Sequence, residues 1–189
     1  PMTDDRAETH VVIDDGTGRR AIHFQEWWIR DRAGIPAQEF VVVGIDDARP
    51  APGVLEAIAD CDVLVLPPSN PVVSIGTIVQ VPGIRDAVRA TKAPVVGLSP
   101  IVGGAPVRGM ADACLTAIGV QTSASAVAAH YGARTSGGIL DAWLVAEQDA
   151  DQVASITALG IDCVAVPLMM SDVDATAAMA AAAFELVGR

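Results

Sequence analysis

The side chains best placed to do chemistry gather at two bends. The first is Pro67-Pro68-Ser69-Asn70-Pro71, with Ser74 just beyond it. It follows residues 63–66, a continuous apolar run of strand length. Such a run predicts a central strand covered on both faces, as in a parallel sheet between helices. Proline cannot donate to a sheet ladder, so the pair ends the strand. In open α/β sheets that carboxyl end is where ligands bind. There Ser69, Asn70 and Ser74 offer hydroxyls and an amide, and the loop's N–H groups could face an anion. An ordinary turn, with Asn70 capping the next helix, fits the same residues. The second bend, I-V-G-G-A-P-V-R-G-M at residues 101–110, is glycine-rich and carries one cation, Arg108. A helix predicted over 110–118 follows it, so a phosphate could rest on free amides there. A plain loop is the alternative reading.

The elements that must position these bends are legible as an alternation. Residues 39–45, 63–66 and 94–99 read as strands, and 52–60 and 82–91 as helices each opened by a proline, whose missing N–H costs little in a first turn. Strand, helix, strand in series predicts right-handed βαβ units and a parallel sheet. Residues 138–145 and 161–167 add strands, with a helix over 151–159 between them. Asp174 is placed to cap an alanine-rich helix running to residue 187, after a loop in which Met169 and Met170 fill packing gaps. Ahead of all this, 9–14 and 20–25 flank D-D-G-T-G-R and predict a β-ribbon. A short helix over 25–32 follows, whose adjacent Trp27 and Trp28 must face different directions, so one could line a cleft. Helices over 110–118 and 123–130 suggest a small cap spanning 104–137, with His130 at a helix C-terminus that favours the imidazolium. The fold class expected is therefore α/β: a Rossmann-like parallel sheet with helices on both faces, a β-ribbon and a helical cap, in one domain over 1–189.

Composition narrows the function. Apolar residues make up 51% of the chain, which excludes a disordered segment, and no apolar run reaches the length of a membrane span. Twenty-three acidic against twelve basic residues leave a net charge of −11, with Lys92 the only lysine. No basic stripe for nucleic acid is present, and a polyanionic substrate would depend on local arginines, amides or a divalent cation. Cys61, Cys114 and Cys163 lack metal spacing and read as reduced thiols of a cytoplasmic protein. An apolar chain with few lysines also suggests a homodimer with an isologous contact.

The motifs themselves say more. P-S-N-P-V-V-S-I-G-T-I at residues 68–78, V-P-G-I-R at 81–85 and A-P-V-V-G-L-S-P-I-V-G-G at 93–104 occur in order with P-M-T-D-D at 1–5, F-Q-E-W-W-I at 24–29, A-A-H-Y-G at 128–132 and G-I-L-D at 138–141. Together they resemble the 2-phospho-L-lactate transferase family, which makes the precursor of the deazaflavin coenzyme F-420, and the resemblance spans essentially the whole chain. It implies the C-terminal part of a longer, magnesium-dependent transferase. The terminal ribityl hydroxyl of the deazariboflavin Fo would attack a guanosine diphospho-acid donor, lactyl or enolpyruvyl, and release GMP. It also implies site roles. Ser69, Asn70, Pro71 and Ser74 would hold nucleotide or Fo. Ser99, Gly103, Gly104 and Arg108 would receive the donor, and Thr3 and Asp4 would sit at a neighbouring strand mouth. The family often carries a lysine just after the paired glycines; Ala105 stands there instead, which leaves Arg108 as the local cation. No catalytic residue or metal ligand is assigned. A gluconeogenesis regulator family of nucleotide-sugar binders has a similar S-I-x-P-x-L-x-V-P-G-I stretch after the same strand, and is the alternative from another class.

Overall fold

A computed structural model describes residues 2–188 and contains two principal sheets. The first is antiparallel, ordered β2-β1-β3, from β1 (Glu8–Asp14), β2 (Arg19–His23) and β3 (Ala37–Val43). The β1–β2 turn is held by Asp14 and Asp15, whose carboxylates accept the N–H groups of Gly16 and Thr17. The β-ribbon is thus present, but it has a third strand. β3 belongs to the run read from sequence as part of the parallel series, and instead it pairs antiparallel with β1. Its contiguous V-V-V run suits either sheet, and the residues between β2 and β3 carry the chain past β1 to its free edge, where β3 completes the antiparallel sheet.

The second sheet is fully parallel, ordered β4-β5-β8-β9, from β4 (Leu64–Leu66), β5 (Val95–Leu98), β8 (Ala142–Ala146) and β9 (Asp162–Val166). β4, expected to be central, lies at an edge among the described residues, and Val65 keeps 39% of its surface exposed. Three helical crossings hold the sheet together, the one from β5 to β8 passing through the helices described below. Between β4 and β5 run α2 (Ile75–Gln80) and α3 (Ile84–Ala90), and α6 (Val153–Thr157) joins β8 to β9. Before β4 lies α1 (Val54–Asp60), which packs on α3. The closing α7 (Val173–Leu186) is capped by Asp172, whose carboxylate accepts the Ala175 N–H at 2.8 Å; Asp174, the residue expected to cap, sits two residues further on, inside the first turn.

The segment expected to form a cap is part of the main body. After β5 a two-stranded hairpin forms, β6 (Ile101–Val102) and β7 (Ala105–Pro106), followed by α4 (Ala111–Ala117) and α5 (Ala124–Tyr131). Leu115, Ala124, Val127 and Tyr131 are buried in the same core as Val95 and Trp143 of the parallel sheet, while Cys114 packs with Val11, Ile13 and Trp27 beneath the antiparallel one. α4 therefore ties the two sheets together. No helix among the described residues is long and apolar enough to cross a membrane.

Two close approaches fix β5 and β8. A side chain at Gly97 would sit 2.4 Å from the buried Trp143 ring, so only glycine lets that indole lie across the sheet. At the amino end of β8, Asp141 takes the Val95 N–H at 2.8 Å and a two-pronged contact from Arg134, 3.0 Å at Nε and 2.7 Å at Nη2. Arg134 in turn donates to the carbonyls of Thr91 and Ala93. The aspartate of the G-I-L-D motif thus serves strand registration, at the end of the sheet opposite the strand exits.

Candidate functional site

Over the carboxyl ends of β4, β5 and β9 lies a cavity of about 450 Å3. Pro68 and Asn70 come from the loop after β4, Ser99 and Pro100 from the exit of β5, Arg108 from the turn before α4, and Leu168 to Ser171 from the loop after β9. A second cavity, of about 400 Å3, lies beside it, between the same β4 loop and the one-turn π-helix Glu26–Arg30 that follows β2. Phe24, Trp28, Ser69, Val73, Ser74 and Met110 contribute to its wall. Pro68, Asn70 and Arg108 line both cavities.

The local sequence explains how this boundary is built. Asn70 Oδ1 accepts the N–H groups of Val72 at 2.9 Å and Val73 at 3.2 Å, and its carbonyl accepts those of Ser74 and Ile75. Asn70 therefore braces the turn that leads to α2, whose own N-cap position is Ser74, and at the same time lines both cavities. Gly76 is required behind it, because a Cβ there would meet the Pro71 carbonyl at 2.5 Å. Ser99 is buried, and its hydroxyl donates to the Ile101 carbonyl at 2.8 Å while accepting the Ile101 N–H, so it closes the strand exit and has little left for a ligand. None of the ion pairs among the described residues engages Arg108, which is exposed. Its guanidinium is the one cation in either wall. Beneath the boundary, burial pushes the Cys114 thiol up to about 11 despite a contact from the Asn70 amide, which makes it an inert packing group.

Of the residues singled out from sequence, Ser69, Asn70, Ser74, Ser99 and Arg108 converge on these cavities. Pro71 is buried behind the loop. Gly103 and Gly104 line neither cavity; they are the two-residue tip of the β6–β7 hairpin, with φ of +58° and +78°, and Gly103 gives its N–H to the buried Asp149 carboxylate at 3.0 Å. Positive φ at both positions is what a type I′ turn demands, and a carboxylate on that amide disfavours an anion there. Thr3 and Asp4 also lie outside both cavities, on a segment pinned to the loop after β3: Asp5 accepts the Arg49 N–H and Met2 accepts that of Ala51. Met169 and Met170, expected to fill packing gaps, are 48% and 51% exposed at the first cavity. His130 also departs from expectation, because burial and the nearby Arg85 lower its pKa and favour the neutral ring over the imidazolium.

Neither wall contains a carboxylate, and among the described residues no group of three His, Cys, Asp or Glu side chains could hold a metal ion. These residues do not fit a magnesium site by themselves.

Fold and site together define an α/β protein with two adjoining cavities that share one arginine at the exits of a parallel sheet. Its residues 1–173 match the model of the family described as "2-phospho-L-lactate transferase CofD". The chain belongs to that family. It is 63% identical to a phosphoenolpyruvate transferase of Thermobifida fusca and 60% identical to one of Streptomyces coelicolor, over 98% of its own length in each case. With a phosphoenolpyruvate transferase of Mycobacterium marinum it shares 57% identity over its full length. The chain spans only 55–57% of the length of these relatives. Among solved structures, a UPF0052-family protein of Bacillus halodurans shares its fold, with a TM-score of 0.59 at 21% identity, covering 96% of this chain and 60% of that one.

Proposed function

We propose that the protein containing this chain transfers a phosphoenolpyruvyl group, or its phospholactyl counterpart, from a guanosine diphospho-acid to the terminal ribityl hydroxyl of Fo in coenzyme F-420 biosynthesis. The observation that carries this reading is the wall common to two cavities, in which Asn70 and Arg108 face both. A group transfer needs two substrates with their reacting ends together, and this boundary offers one place where both could meet. The identity of 57–63% with phosphoenolpyruvate transferases favours the enolpyruvyl donor.

In this reading the ribityl oxygen forms a bond to the phosphorus bearing the three-carbon acid. The bond from that phosphorus to the bridging oxygen breaks, GMP leaves with the bridging oxygen, and the hydroxyl proton passes to solvent. Such a reaction needs little covalent help from protein; it needs alignment and neutralisation of phosphoryl charge. Arg108 supplies positive charge at the boundary, and the Asn70 amide holds the loop that lines both sides.

The test is calorimetric titration of the full-length protein with GDP and with Fo, repeated for Asn70→Ala and Arg108→Ala. Wild-type protein should bind both ligands, and Arg108→Ala should weaken GDP about tenfold or more, the worth of a charge-assisted hydrogen bond. Wild-type protein that binds GDP but no Fo overturns the transferase reading.

A further inference from the structure

We infer that the cavity beside the π-helix, and not the one over the strand exits, seats the planar fused ring of the acceptor, with Trp28 as its stacking platform. The inference rests on the transfer reading above and divides its two substrates between the two cavities.

The adjacent tryptophans are used differently. Trp27 is fully buried, donates its indole N–H to the Ile35 carbonyl at 2.7 Å and meets Phe40 edge to face. Every part of it is committed to the core. Trp28 is 39% exposed and is braced by Phe24, whose ring centroid lies 5.5 Å away at a tilt of 55°. Both Phe24 and Trp28 face the second cavity, with Val73 and Met110 also in its wall. An indole held by a neighbouring aromatic ring, and left partly open to a cavity, is preorganised to bind another flat ring.

The first cavity is lined by no aromatic side chain: besides the shared Asn70 and Arg108, its wall is made of prolines, aliphatic residues, the two methionines, Ser99 and Ser171. It does lie over the exits of parallel strands, the usual position for nucleotides in such sheets. A donor there and an acceptor against Trp28 would each bring one end to Asn70 and Arg108. On the acceptor side, Ser69 and Ser74 line the way to that boundary, where a polyhydroxylated ribityl chain needs polar partners.

The experiment uses the full-length protein and the variants Trp28→Ala and Trp28→Phe. Fo and GDP affinities are measured by calorimetry, and KM for each substrate by turnover. Trp28→Ala is expected to weaken Fo by about tenfold in Kd and KM, from lost stacking and apolar burial, with GDP affinity and thermal midpoint unchanged. Trp28→Phe should recover most of the loss. If wild-type protein binds both ligands and Trp28→Ala leaves Fo affinity intact, or weakens GDP in its place, the inference is overturned and the transfer reading stands. If wild-type protein binds no Fo, both are overturned.

Discussion

Arg108 and Asn70 face the same two cavities, yet their substitutions should behave differently. Arg108 is exposed and outside every ion pair among the described residues, so Arg108→Ala should leave the thermal midpoint where it is while weakening anion binding. Arg108→Lys should recover only part, since an ammonium lacks the planar fork. Asn70→Ala removes the acceptor for two backbone N–H groups, and should cost about 1–2 kcal/mol of stability in chemical denaturation as well as affinity. His130 gives a pH prediction. Its folded pKa is depressed, so the unfolded chain takes up the proton first as pH falls through about 6.5. Stability tied to the neutral ring is therefore present above that pH and is lost progressively below it. His130→Gln should flatten this part of the denaturation profile between pH 7.5 and 5.5; an unchanged slope would show that the ring is not responsible.

At the scale of elements, the parallel sheet depends on positions that carry no chemistry. Gly97→Ala would drive a methyl into the Trp143 ring and should cost about 1–3 kcal/mol, read as a lower denaturation midpoint. Asp141→Ala would strand the Arg134 guanidinium and the Val95 N–H, at a cost of about 2–4 kcal/mol. Both should lower stability without shifting ligand affinity in the folded fraction, since neither residue lines the cavities. The elements themselves were largely readable, because apolar runs ending at prolines mark strand exits and helix starts with simple steric rules. Pairing partners were not. The sequence of β3 states that it is a strand and says nothing of which strand lies beside it, so the ribbon acquired a member expected elsewhere. Of the site, Ser69, Asn70, Ser74, Ser99 and Arg108 were legible from their place after strands. Phe24 was missed, and Met169 and Met170 were misread, because large apolar residues are ordinarily core. Gly103-Gly104 did carry a usable signal: two glycines between short apolar pairs spell a tight hairpin before they spell a phosphate loop.

At the scale of the whole chain, its net charge of −11 contributes a field against any anionic donor, while Arg108 attracts it at contact range. Salt screens the distant charges first, with a Debye length of about 30 Å at 0.01 M and about 10 Å at 0.1 M. Donor affinity in Arg108→Ala should accordingly rise with salt across that range, and in wild-type protein should rise less or stay level. A steep fall in both proteins would mean that cations other than Arg108 dominate the site. The three indoles offer a last consequence. Trp27 and Trp143 are sealed in dry surroundings, Trp143 without even a partner for its N–H, whereas Trp28 meets water. Their emission should separate by colour, blue from the sealed pair and red from the wetted one. Exciting at the long-wavelength edge would then make Trp28 a built-in optical gauge of what enters the aromatic cavity, with no dye attached.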